Sequence, residues 1–378
     1  MKQTKLIFTA ALMLFLASSC KKDNPNNTTN PPNGRKTVVI YGDIFQNTTW
    51  SKDTIYIVEN VVNVGAKLTI QPGTIVKMDN GRLNCYVSST GTSPNGNIIA
   101  CGTASEPIIF TSVKDDTQGG DSNGDGNLTS PQLNDWHSIE LGNLTETDVF
   151  QYCKFYYGGA DYYTLDAVTS HPVIIDHCEF AHDAPTTSTL VYDYHVATLN
   201  MINANTASSI TNCTFYDCGA PFSFCSQFPV SNNIFHNPNS PSETNKSNAI
   251  YVVLEGGVND AVWFKNKNFD ITEVPYVFNI VNGAALTDTI TLSNNVIFKF
   301  ASGPNSIIQL QQGGYIRNYN GQGVFFTSAL DDAHGGDTNH DGIATSPQTG
   351  DWLGIQDIVN LPVGSNFETW PNILYASH

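Results

Sequence analysis

The chain has 378 residues and a formal net charge of −17, from 17 Lys and Arg against 34 Asp and Glu. Charged residues make up only 13%, while Gly is plentiful at 30, a balance that excludes a mostly helical protein, whose faces need Glu, Lys and Arg. The only arginines are Arg35, Arg82 and Arg317, so the chain cannot neutralise a run of phosphates, and nucleic acid is excluded as a partner.

At the amino terminus, Lys2 and Lys5 precede an apolar run from Leu6 to Ala17 that is too short to span a bilayer. Ser18 and Ser19 then lead to Cys20. Residues 1–19 thus read as a secretory signal. The segment resembles a bacterial lipobox, with Ala17 at a position where Leu is usual. The resemblance implies that Cys20 is acylated and becomes the mature terminus. It also implies anchoring to outer-membrane lipid of a Gram-negative bacterium, at the cell surface or the periplasmic face. Residues 20–36 are rich in Asn, Thr and Pro and have no periodicity, as a flexible tether would.

From residue 37 to 378 the pattern is that of short strands. Ile55-Tyr56-Ile57-Val58, Leu68-Thr69-Ile70, Thr74-Ile75-Val76, Ile98-Ile99-Ala100 and Ile108-Ile109-Phe110 are apolar runs split by Gly, Pro and Asn. Residues 35–63 are expected to cap the first sheet edge. Seven cysteines follow Cys20, an odd number with no CxxC pair, so a disulfide framework is not the natural reading. Whether Cys218 and Cys225 pair is left open.

The first of two acidic loops comes next, at 115–136. Residues 115–139 and 331–355 are identical at 15 of 25 positions, with no gap. The core of each is D-x-N-x-D-G, a spacing that wraps short oxygen ligands around a hard cation. The expected Ca²⁺ ligands in the first loop are Asp121, Asn123, Asp125, the Asn127 carbonyl, Gln132 and Asp135. In the second loop, 331–352, they are Asp337, Asn339, Asp341 and the Ile343 carbonyl, with Gln348 and Asp351. A Gln stands where the twelfth loop position normally carries a bidentate Glu. The missing carboxylate would come from Asp135 and Asp351, or from Asp115/Asp116 and Asp331/Asp332. No duplicated Cys or His is present, which argues against zinc. Trp136 and Trp352 restart a strand after each loop and are expected to pack beneath it.

Between the loops runs an irregular repeat. Cys153, Cys178, Cys213, Asn233, Lys267 and Asn295 form one column. Phe155, Phe180, Phe215, Phe235, Phe269 and Ile297 stand two residues later, and Phe150, Ile175, Ile210, Val230, Phe264 and Leu292 three earlier. Asn212, Asn232, Asn266 and Asn294 precede the column in the last four copies. Copies lie 25, 35, 20, 34 and 28 residues apart. A coil of short parallel strands tolerates that variation, because each turn can carry its own loop. The pattern resembles the right-handed parallel β-helix of the pectate-lyase-like superfamily, with its Asn ladder and stacked Phe and Cys interior. The resemblance implies an all-β, single-stranded solenoid of roughly 11–14 turns, each rising about 4.8 Å.

For chemistry, the densest cluster is Asp176, His177, Glu179 and His182, with Asp161 and Asp166 on a neighbouring turn. In the strand register, His177 and Glu179 face outward beside inward Cys178 and Phe180. Asp166, Asp176, Glu179 and His182 are weak catalytic candidates, since paired carboxylates can cleave a glycosidic bond. The alternative is an ordinary polar outer face. Tyr156, Tyr157, Tyr162, Tyr163, Tyr192 and Tyr194 crowd the same region, either to stack on sugar rings or to cover the coil. The leading expectation is a non-catalytic, calcium-stabilised envelope lipoprotein that binds glycan. A polysaccharide lyase or glycoside hydrolase and a structural spacer are the alternatives.

Overall fold

Alternation of period two builds the strands. Val173–Asp176 and Asp148–Gln151 each bury every second side chain, as a strand covering a core on one face must. The protein was analysed as a computed structural model, which describes residues 34–85, 96–142, 146–167, 171–183, 197–224, 228–254, 268–280, 283–303, 305–362 and 364–378. The signal segment, Cys20, most of the tether, Tyr192, Tyr194, Cys225 and residues 255–267 lie outside that set. Among the described residues there is no helix, and one strand hairpin, His236–Asn237 with Ser240–Thr244, is antiparallel while every other strand pair is parallel.

Each turn crosses three faces. The first face stacks seven strands, from Thr48–Trp50 through Leu68–Ile70, Ile98–Cys101, Asp148–Gln151, Val173–Asp176 and Ser209–Thr211 to Val230–Ser231. The second face includes Ile108–Ser112, Cys153–Tyr156, Glu179–Ala181 and Thr214–Tyr216. The third includes Ile139–Leu141, Leu165–Ala167, Ala197–Met201 and Ala220–Phe224. Two long strands, Thr54–Asn63 and Ile75–Asn84, belong to both the second and third faces. They turn the corner at Asn60 and Asn80, both left-handed with φ of 56° and 49°. Asn tolerates that conformation better than other residues with a Cβ. A three-stranded sheet of Asn268–Phe269, Thr289–Leu292 and Tyr315–Arg317 continues the first-face position. Seven and three strands make ten rungs at this position among the described residues, and long excursions separate several of them.

The core runs along the axis. Phe110, Phe155, Phe180, Phe215 and Phe235 stack with centroids 4.8, 4.6, 5.1 and 6.0 Å apart. All five are buried, and each contributes about 1.5–3 kcal/mol through apolar burial. The expected columns hold over four copies: Phe155, Phe180 and Phe215 are register partners, as are Phe150, Ile175, Ile210 and Val230. Cys153, Cys178 and Cys213 are buried free thiols in a ladder of their own. Their Sγ atoms approach backbone carbonyls of the preceding turn at 3.4, 3.4 and 3.8 Å.

The last two copies slip. Phe269 pairs with Leu292 on the first-face position, not with the aromatic column. Ile297 is only half-buried, whereas Phe298 is fully buried and meets neighbouring rings tilted or edge-on. The six-residue template is short enough to fit two different corners. Asn212 and Asn232 are left-handed as expected and bond to each other, Nδ2 to Oδ1, at 3.3 Å. In the sixth copy Asn295 takes the bend in place of Asn294.

The ends also differ from expectation. Lys36–Ile40 pairs in parallel with Thr54–Asn63, so residues 35–63 form rungs rather than a separate cap. The opposite end is closed by the carboxy-terminal segment. Ile373 bridges to Phe326 and Ala376 to Trp352. The Trp370 ring lies on Tyr319 at 3.9 Å.

Candidate functional site

Both acidic loops leave the coil at the same place and return at the same place. The first leaves Ile108–Ser112 and re-enters at Ile139–Leu141. The second leaves Phe325–Ser328 and re-enters at Gly354–Asp357. Each starts with the same clasp. The Thr111 hydroxyl donates to Asp115 at 2.7 Å, and the Thr327 hydroxyl to Asp331 at 2.6 Å. Each ends on a fully buried tryptophan, as expected. Trp136 Nε1 donates to the Tyr156 carbonyl at 2.8 Å, and Trp352 Nε1 to the Leu374 carbonyl at 2.9 Å.

Within the loops, Gly126 and Gly342 are left-handed, with φ of 73° and 70°. Their amides each donate to the first aspartate, Asp121 or Asp337, at 2.9 Å. Asp121 and Asp125 converge with Asp116, their carboxylate oxygens lying within 4.8 Å of one another. Asp337 and Asp341 converge in the same way with Asp332. Asp135, by contrast, is an ion-pair partner of Lys114 at 2.7 Å and accepts from Ser112. Asp351 accepts the Gln348 amide at 3.0 Å. The third carboxylate of each cluster is therefore Asp116 or Asp332, and neither Asp135 nor Asp351 joins it. The Gln132 side chain bonds Ser130 and the Pro131 carbonyl. Asn123 and Asn339 donate to Asp125 and Asp341 at 2.9 and 2.8 Å. Leu128 N and Asn127 N also bond Asp125, and Ile343 is exposed at the tip of the second loop.

The fit to a cation rests on acceptors that meet no donor. Asp116 Oδ1, Asp332 Oδ1, Asp337 Oδ1 and Asn339 Oδ1 are buried and have no hydrogen-bond partner. Buried oxygens without donors are costly unless something positive satisfies them. Burial, and then the neighbouring charge of Asp121, push Asp116 above the usual carboxylate range; burial and Asp337 do the same to Asp332. An all-oxygen set of this kind suits Ca²⁺.

A lysine missed in the sequence completes each unit, Lys77 in the first and Lys299 in the second. Lys77 and Lys299 are fully buried. Lys77 lies in register with Thr111, and Lys299 with Thr327. Lys77 Nζ donates to the carbonyls of Asp115 and Gly120 at 2.9 and 2.6 Å. Lys299 Nζ donates to the Gly336 carbonyl at 2.5 Å and to Thr338 at 3.2 Å. Burial lowers both pKa values, Lys299 to about 8, against the pull of the aspartates above them. The signal was a single Lys inside each of two apolar runs, Ile75-Val76-Lys77-Met78 and Ile297-Phe298-Lys299-Phe300.

The catalytic candidates do not share a face. Asp166 is on the third face and accepts from Asn200 at 2.8 Å. Asp176 ends a first-face strand. Burial tends to raise its pKa, but hydrogen bonds from Asn212, His177, Gln151 and Thr211 outweigh that and hold it at about 2. Glu179, on the second face, accepts from the Tyr156 and Tyr216 hydroxyls at 2.5 and 3.2 Å and pairs with Lys154 at 3.1 Å. Burial and the Glu179 charge push the Tyr156 hydroxyl upward, so it stays a donor. His182 Nδ1 lies 2.7 Å from Asp217. Asp161 pairs with Arg82 and His137. As expected, Cys178 and Phe180 are buried while His177 is exposed.

The tyrosines divide. Tyr163 is buried, Tyr162 is exposed, and Tyr157 stacks on His182 at 5.3 Å. Apart from them, a shallow groove of about 170 Å³ follows the corner between first and second faces. Tyr152, Lys154, His177, Glu179 and Asn212 line it, with Thr103 on its rim. The Tyr152 and His177 rings stack at 4.6 Å.

Architecture and register define a parallel β-helix. Residues 42–161, about a third of the chain, match the family model described as pectate-lyase like beta helix domain. Neither a curated protein nor a solved structure matches the chain.

Proposed function

We propose that this chain is a non-catalytic, calcium-stabilised β-helix lipoprotein of a bacterial envelope that holds polysaccharide along its side. The observation that carries the reading is the groove with the stacked Tyr152 and His177 rings beside Lys154 and Glu179. Rings at an open β corner offer apolar faces to a sugar, and the polar groups around them offer hydrogen bonds. The similarity of residues 42–161 to pectate-lyase-like β-helix domains supports the same class of ligand. A lyase or hydrolase has less support, because Asp166, Asp176, Glu179 and His182 sit on different faces and each is already engaged. Lipid attachment at Cys20 would present the coil outward.

The test is native electrophoresis through gels cast with different polysaccharides, with Ca²⁺ present. Retardation in at least one gel is expected, and Tyr152→Ala with His177→Ala should abolish it. Retardation that survives both changes would place the glycan elsewhere. A cleared track would mean cleavage.

In the same reading, each loop holds one Ca²⁺ through Asp116, Asp121 and Asp125 or through Asp332, Asp337 and Asp341. The ion would supply the positive charge that the donorless oxygens of Asp116, Asp332 and Asp337 lack, with the weak affinity of extracellular modules, on the order of 10⁻⁴–10⁻³ M. Ca²⁺ should raise the melting temperature relative to chelator, and Asp125→Ala with Asp341→Ala should remove that rise. A calcium effect that persists in the double variant would sink the assignment.

A further inference from the structure

A second kind of cation site lies where the second face turns into the third. Three residues two places after a stacked Phe occupy one corner on successive turns. They are Tyr157, His182 and Asp217, following Phe155, Phe180 and Phe215. All three are left-handed, with φ of 68°, 57° and 48°. Asn, Asp and His are the non-glycine residues found most often in that conformation, so the bend admits His182 and Asp217 and sets their side chains one above the other. The hairpin 236–244, antiparallel where every other strand pair among the described residues is parallel, brings a third group. The Asp217 amide donates to the Thr244 carbonyl at 3.2 Å, which seats the hairpin beside this corner.

The result is a convergence of His182, Asp217 and Glu243, with one ligand atom from each lying within 4.8 Å of the other two. All three side chains are half-buried. The imidazole is clamped before any ion arrives. Its ring stacks on Tyr157 at 5.3 Å and meets the edge of Tyr216 at 5.7 Å. The Glu243 carboxylate is oriented by Asn237 Nδ2 at 2.6 Å. Such preset orientation from surrounding groups is what metal-binding histidines and carboxylates require.

The geometry points to a transition-metal site of the zinc class at His182, Asp217 and Glu243. One imidazole and two carboxylates neutralise a divalent ion and leave a fourth position open to water or a ligand. The imidazole distinguishes this site from the acidic loops, whose donors are all oxygen and favour Ca²⁺.

The test uses Co²⁺ as a spectroscopic probe on the purified, chelator-stripped protein with Ca²⁺ in excess. Calorimetry and the visible absorption of Co²⁺ should both show one equivalent bound. His182→Asn keeps a residue that tolerates the bend, and Glu243→Gln keeps the shape. Each should weaken Co²⁺ by about tenfold or more, since removing even an outer partner of a ligand costs that much. Both variants should still fold without metal, with the circular dichroism of the wild type, so that lost Co²⁺ binding reports on the ligands. The Asp125→Ala, Asp341→Ala protein should keep its Co²⁺ equivalent, which separates this site from the calcium loops. Absence of Co²⁺ binding in the wild type, or equal binding by wild type and both corner variants, would overturn the proposal.

Discussion

Phe180 has a ring on either side, Phe155 at 4.6 Å and Phe215 at 5.1 Å, each within 5° of parallel. Removing it leaves a hole that stacked strands cannot close, because backbone hydrogen bonds fix their spacing. Phe180→Ala should cost about 3–5 kcal/mol, read from denaturant unfolding; a loss under about 1 kcal/mol would mean that the coil relaxes around the gap. Asp176 is the outward counterpart. Its folded pKa of about 2 lies below the ordinary 3.8. The ionised group therefore adds stability that is present above pH 3.8 and is lost as pH falls through 2. Asp176→Asn should lower the melting temperature at pH 7 and make little difference at pH 2. Solvent reaches this carboxylate, so the effect is modest. An equal loss at both pH values would show that shape rather than charge is what matters there.

At the scale of elements, the acidic loop is one piece of a larger unit. Thr111 and Asp115 clasp its start, Lys77 holds it from the preceding rung, and Trp136 ties its end to the following one. Thr327, Asp331, Lys299 and Trp352 repeat the arrangement. A buried ammonium costs desolvation, offset here by bonds to loop oxygens. Lys299→Met keeps the stem and removes the donor. It should cost about 1–3 kcal/mol by leaving the Gly336 carbonyl and Thr338 without it. Hydrogen exchange should quicken across residues 331–345 and stay unchanged across 115–129. Protection unchanged in both loops would show that the lysine does not hold its loop. The loop sequence was legible without the structure, because its acids and glycines lie within a few residues of one another. The lysine was not, because it reaches the loop from a strand one turn away.

For the whole molecule, the ends decide solubility. A coil of parallel strands exposes unpaired backbone and core rings wherever it stops. Here the carboxy-terminal segment covers Phe326 and Trp352. Deleting residues 365–378 should expose both, and the truncated protein should bind a hydrophobic dye and aggregate; a soluble, dye-negative truncation would mean that the segment is dispensable. The sequence alone determined the β class, the coiled repeat over its first four copies and the duplicated loops. Those signals are local, carried by alternation of period two and by identity between two stretches of chain. Only the tertiary structure decided that Asp116 and Asp332 complete the clusters in place of Asp135 and Asp351. It also decided that Phe269 and Ile297 leave the aromatic column, and that His182 meets Asp217 and Glu243. Each of these depends on which residues lie one rung apart. With turns of unequal length, that spacing is set by strand pairing and packing rather than by any fixed count along the chain.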